Sequence, residues 1–316
     1  MRPIAFVFPG QGSQYVGMGR DLYETYPEAR AVFEKADETL GFPLSELCFE
    51  GPAEELNDTI NTQPAIFTMS VACLRALNPL FSLNPLFVAG HSLGEYTALV
   101  AAGALDFAAG LKLVRERGRL MKEAGEKNPG AMAAIIGLDA GTIERICREI
   151  CLQLPASSVQ IANYNSPGQI VISGHRGALE RAMELARERG AKRVIPLAVS
   201  IAAHSPLMRP AAEELRRAVE ATPLRRARIP IVANVTARPI AEPEEIKEEL
   251  VRQLTSPVRW VESVERMIEG GITTFVEIGP KSVLAGLIRR IDKGVRTVNV
   301  GDVAGVKAAG FDCCLG

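Results

Sequence analysis

The sequence predicts an α/β protein in two parts: a parallel sheet layered by helices, and a small unit inserted into it. Three observations carry this reading. Short strand-like runs recur along the whole length, separated by long helical patterns. The stretch from about residue 130 to 200 follows a different order of elements. The chain also has 316 residues, 47% hydrophobic and 23% charged, enough for a large core and about two folding units at roughly 150 residues each.

Ile4 to Phe8 is an apolar run that Pro9-Gly10 stops at once, too short for a signal-peptide core and suited to a first strand. Leu86 to Ala89 reads as the next strand of the large sheet. From Ala131 onward, residues 131–137, 142–150, 159–165, 169–174, 177–190 and 192–199 read as strand, helix, strand, strand, helix, strand. Ser166-Pro167-Gly168 is the turn between the central strands. That order is the split β-α-β arrangement of ferredoxin-like units. The small domain is therefore expected over 128–199, with hinges near Lys127 to Gly130 and near Ser200, inside a discontinuous large domain of 1–127 and 200–316. Ile229 to Asn234, Thr273 to Ile278 and Val295 to Val300 supply the remaining strands of the large sheet.

The formal net charge is -1, which gives no reason to expect nucleic acid or an anionic membrane as a partner. The most apolar long stretch, Val88 to Leu111, is interrupted by His91, Glu95 and Asp106, which argues against a transmembrane helix. A cytoplasmic location is expected. Six cysteines show no C-x-x-C spacing, and Cys147 and Cys151, four apart, have no histidine nearby. Reduced thiols are expected, and no metal site.

Gly90-His91-Ser92-Leu93-Gly94 joins a strand to a helix of small side chains, the setting of a nucleophile elbow in a hydrolase-like fold. A helix N-cap serine in a glycine-rich turn is the alternative. Ala98, Ala101 and Ala102 behind the turn favour the elbow. A serine hydroxyl needs a base within hydrogen-bond reach, most often histidine, and the chain has three. His91 adjoins the serine, where side chains diverge. His175 falls inside the small domain. His204 falls where the chain re-enters the large domain, beside the inter-domain cleft, and is the favoured base. No Asp or Glu in a recognisable triad setting stands between Ser92 and His204, and a carbonyl at Nδ1–H would fix the tautomer instead. Arg117, taken with Arg115 and Arg119 alone, reads as part of a solvated helix face.

An ordered set of motifs then points further. Phe8-Pro9-Gly10-Gln11-Gly12-Ser13-Gln14, Thr62-Gln63-Pro64-Ala65, Gly90-His91-Ser92-Leu93-Gly94-Glu95 and Arg115-Glu116-Arg117-Gly118 come first. Asn163-Tyr164-Asn165-Ser166-Pro167, His204-Ser205-Pro206-Leu207-Met208, Gln253-Leu254-Thr255-Ser256-Pro257-Val258 and Phe275-Val276-Glu277-Ile278-Gly279-Pro280 follow. Together they resemble the malonyl-CoA:acyl carrier protein transacylases of fatty-acid synthesis, relatives of polyketide synthase acyltransferase domains, over nearly the whole chain.

The resemblance implies that Ser92 becomes acylated, that His204 is general acid and base, and that the backbone carbonyl of Gln253 orients it. It implies an oxyanion hole from the N–H groups of Gln11 and Leu93, and a bidentate role for Arg117 on the malonyl carboxylate. The partners it implies are malonyl-CoA and acyl carrier protein, with no cofactor and a monomeric enzyme. Lys192, Arg289 and Arg290 are basic residues that it places near the cleft mouth, where an acidic carrier would dock. A transferase for another acyl unit, a serine hydrolase and a non-enzymatic carrier-binding module are the rival readings. The tail Ala304 to Gly316 departs from the family's usual ending, and Lys281-Ser282 stand where the family often has glycine.

Overall fold

The protein is seen in a computed structural model that describes residues 3–77, 84–199 and 201–314. Its strands are β1 (Ile4–Phe8), β2 (Phe87–Gly90), β3 (Gly130–Ile136), β4 (Val159–Ser166), β5 (Gln169–His175), β6 (Arg193–Pro196), β7 (Ile231–Val232), β8 (Pro239–Ile240), β9 (Thr274–Ile278) and β10 (Arg296–Val300). The large sheet runs β10-β9-β1-β2-β7-β8 and is parallel except for the β7–β8 hairpin. β1 and β9 are buried at every position, the pattern of strands covered on both faces by helices.

Register decides where the site forms. Phe8 pairs with Gly90, so the loop after β1 and the turn after β2 leave the sheet side by side. Ala89 pairs with Val232, which brings the segment after β7 to the same edge. This is the carboxyl end of the parallel strands, the usual place for a ligand in such sheets.

The second sheet runs β4-β5-β3-β6, antiparallel throughout, in the split β-α-β order. Helices Ala140–Gln153 and Arg176–Glu188 cover it, with Ile143, Ile146, Ile150, Leu179 and Met183 in a core of its own. Asn163 of β4 also makes a parallel bridge to Val258, which ties the small sheet to the segment just before helix Trp260–Glu269. Ser200, at one expected hinge, lies outside the described residues.

Some elements differ from the sequence reading. The strand expected over Ile229 to Asn234 shrinks to two residues, because Pro230 has no N–H and the chain turns at Ala237, φ 53°, back into β8. The run Lys192 to Val199 is a strand only over Arg193–Pro196, and the tail contains a helix, Val303–Cys314. Lys281 has φ 62°, which explains why glycine suits that position. Its Nζ donates to Gly12 O at 3.1 Å, tying the turn to the loop after β1. Glu277, at the end of β9, accepts from the N–H groups of Leu284 and Ala285 at 2.9 and 2.7 Å and caps helix Val283–Ile291. Burial pushes its carboxyl up to about 7. Among the described residues no helix is long and apolar enough to cross a membrane.

Candidate active site

The turn after β2 is an elbow built on glycines. A Cβ at Gly90 would lie 1.9 Å from the Gly94 carbonyl carbon, and one at Gly94 would lie 2.0 Å from Phe8 O. Both positions must therefore be bare for strand, turn and helix to close together. Ser92 is held at φ 51°, a left-handed conformation that costs a non-glycine residue about 1 to 3 kcal/mol. Two side chains hold it there. Asn234 Oδ1 accepts the Ser92 N–H at 2.7 Å, and Gln253 Nε2 donates to Ser92 O at 3.0 Å.

Ser92 Oγ lies 2.8 Å from His204 Nε2, and His204 Nδ1 lies 2.8 Å from the backbone oxygen of Gln253. A carbonyl oxygen only accepts, so Nδ1 carries the proton and Nε2 turns its lone pair to the serine hydroxyl. Burial and, next, the Arg117 charge push the His204 pKa down to about 3, so the ring is neutral. His204 has φ 59°, and its carbonyl accepts from Gln160 Nε2 at 2.8 Å, a tie from β4 to this histidine. The other two histidines are placed elsewhere. His91 Nε2 pairs with Asn165 Oδ1 at 2.8 Å and stands edge-on to Trp260, while His175 Nδ1 accepts the Ser158 N–H at 2.9 Å inside the small sheet.

Arg117 is only 1% exposed, unlike a solvated face residue. Its Nη1 donates to Gln63 Oε1 at 2.8 Å, and its Nη2 donates to Gln253 Oε1 at 2.9 Å and to Ser92 Oγ at 3.1 Å. Gly118 allows this: a Cβ there would lie 2.6 Å from Thr59 O, so helix Phe107–Lys127 packs directly on helix Thr59–Leu77. Arg115 instead stacks over Phe42, and Arg119 pairs with Glu116 and Glu123.

Ser92, His204 and Arg117 line one cavity with Gln11, Met132, Asn163, Leu197 and Val199, so both sheets contribute its walls. Neither the Gln11 N–H nor the Leu93 N–H has a protein acceptor among the described residues, as required of donors kept for a ligand. Lys192 packs over Gly137, Arg290 hydrogen-bonds Gln169, and Arg289 turns to Thr297; all three are exposed. The sequence reading missed Asn234 and the parts played by Gln63, Glu95 and the Gln253 amide. Glu95 was visible as a carboxylate in a helix whose other positions are apolar or small.

A strained serine on a parallel sheet, hydrogen-bonded to a neutral histidine, defines a protein built for nucleophilic acyl-group chemistry. The comparisons narrow that class. Residues 5–309 match the acyl transferase domain, and the chain belongs to that family. The malonyl CoA-acyl carrier protein transacylase of Bacillus subtilis (strain 168) is 49% identical over 309 residues, 98% of this chain and 96% of that protein. An acyl carrier protein S-malonyltransferase from Vibrio cholerae superposes with a TM-score of 0.93 at 46% identity, covering 97% of this chain and 99% of that one. A malonyl-transacylase solved in complex with a type II PKS acyl-carrier protein gives a TM-score of 0.95 at 44% identity, covering 98% and 99%.

Proposed function

We propose that this chain is a malonyl-CoA:acyl carrier protein S-malonyltransferase of fatty-acid biosynthesis. The observation that carries the reading is the buried Arg117 guanidinium 3.1 Å from Ser92 Oγ, a fixed cation beside the nucleophile. An acyl group ending in a carboxylate matches it; a plain acyl group leaves it without a substrate partner.

In this mechanism Ser92 Oγ attacks the thioester carbon as its proton passes to His204 Nε2. The oxyanion accepts from the N–H groups of Gln11 and Leu93. The C–S bond breaks, His204 returns the proton to the CoA sulfur, and a malonyl ester remains on Ser92. The phosphopantetheine thiol of acyl carrier protein then gives its proton to His204, attacks the ester and leaves as malonyl thioester, restoring the Ser92 hydroxyl. The Gln253 carbonyl holds Nδ1–H throughout, so the base keeps one tautomer.

A second cavity, lined by Asn57, Asp58 and Lys122, shares Gln11, Val199 and Ile201 with the first and offers a path for the thiol arm. In the same reading the enzyme acts as a monomer, 128–199 is a domain inserted between 1–127 and 200–316, and Lys192, Arg289 and Arg290 steer the acidic carrier. Intact-mass analysis tests the reading. Malonyl-CoA should leave a malonyl adduct on wild type and none on Ser92→Ala, and the adduct should move to added carrier protein. An adduct that decays equally fast without carrier makes the protein a hydrolase.

A further inference from the structure

Beneath the serine lies a carboxylate that the acyl-transfer steps leave unused. Glu95 is 1% exposed, in the first turn of helix Gly94–Ala101. Its Oε1 accepts from Asn234 N at 2.8 Å and Asn234 Nδ2 at 3.1 Å, and its Oε2 accepts from Gln253 Nε2. Those two amides reach the reacting groups: Asn234 holds the Ser92 N–H, while Gln253 holds Ser92 O and Arg117.

The polarity of each contact is forced. Backbone carbonyls accept only, and backbone N–H and guanidinium groups donate only. Gln253 must turn its NH2 to Ser92 O and Glu95, and its oxygen to Arg117. Glu95 meets three N–H donors, two from Asn234 and one from Gln253, and a carboxylate, which only accepts, satisfies them all.

We propose that Glu95 is a positioning residue that locks the Gln253 amide, and through it the Arg117 guanidinium at Ser92, and thereby sets the preference for acyl groups that carry a carboxylate. The proposal rests on the reading of Arg117 as the carboxylate partner. A glutamine at 95 cannot replace the acid. With its oxygen toward Asn234, its NH2 faces the NH2 of Gln253; with its oxygen toward Gln253, its NH2 faces two Asn234 donors. Flipping Gln253 to relieve the first clash sets its NH2 against Arg117 and its oxygen against Ser92 O. Every arrangement strands buried donors.

The test compares kcat/KM for malonyl-CoA and acetyl-CoA in wild type, Glu95→Gln and Gln253→Met, with circular dichroism for folding. The methionine keeps the backbone carbonyl on His204 and deletes the amide through which Glu95 acts, so an unchanged ratio in it overturns the proposal even if Glu95→Gln does not fold. The malonyl-to-acetyl ratio is expected to fall at least about tenfold in each folded variant. Equal losses for the two thioesters, the mark of a merely structural role, or an unchanged ratio would overturn the proposal. A wild type with no malonyl preference would overturn the functional reading instead.

Discussion

Arg117→Ala separates substrate recognition from catalysis. The side chain is buried, and among the described residues no carboxylate pairs with its cation; it rests on the amide oxygens of Gln63 and Gln253 and on Ser92 Oγ. A malonyl carboxylate entering this cavity gives up its hydration and gains a charged hydrogen bond, worth about 1.5 to 3 kcal/mol net. With each ~1.4 kcal/mol equal to tenfold, kcat/KM for malonyl-CoA should drop by roughly tenfold to a hundredfold or more. Acetyl-CoA has no carboxylate to strand. The Arg117 charge is also the second cause of the low His204 pKa, so its removal makes the base stronger, and acetyl transfer should hold or rise. The assay is kcat/KM for both thioesters, with circular dichroism as the check on folding. Equal losses in a folded variant would mean that Arg117 supports the structure and does not read the substrate.

His204→Ala should slow acylation by malonyl-CoA by about 10²- to 10⁴-fold, the usual range for a general base, while His175→Ala should acylate nearly as wild type; equal rates in rapid-quench mass analysis would refute the assignment. Glu277 has a folded pKa of about 7, above its ordinary value of 4.5, so the native chain binds the extra proton and stability falls as pH rises through that window. Glu277→Gln lacks this titration, and the wild-type advantage in urea unfolding should shrink by up to about 3 kcal/mol from pH 4.5 to 8 at about 1.4 kcal/mol per unit; a pH-independent gap would contradict it. Neutralising Lys192, Arg289 and Arg290 together should raise the KM for carrier at low salt and leave acylation by malonyl-CoA unchanged; an unaltered carrier KM would remove the docking surface.

The fold was legible where sequence pattern and punctuation agree, as in β1 of the large sheet, stopped by Pro9-Gly10, and in the strand-helix alternation of the small sheet. β7 and β8, two residues each, are too short to carry a period, and only their neighbours make them strands. Ser92 and His204 were legible from context, one at a strand-to-helix turn and one at a chain re-entry point. Arg117 needed the family resemblance, although its helix held the clue. Gly110, Val114, Arg117, Met121 and Ala124 fall on one buried stripe, whereas Arg115 and Arg119 lie off it. Gln253 sits the same way, in line with Ile246, Glu249 and Leu250. A charge or amide on such a stripe pays desolvation unless partners wait for it, and that makes the stripe itself a search rule for site residues. Asn234 obeys no such rule. It acts 142 positions from Ser92, through a hydrogen bond that exists only once the register of β2 and β7 is set.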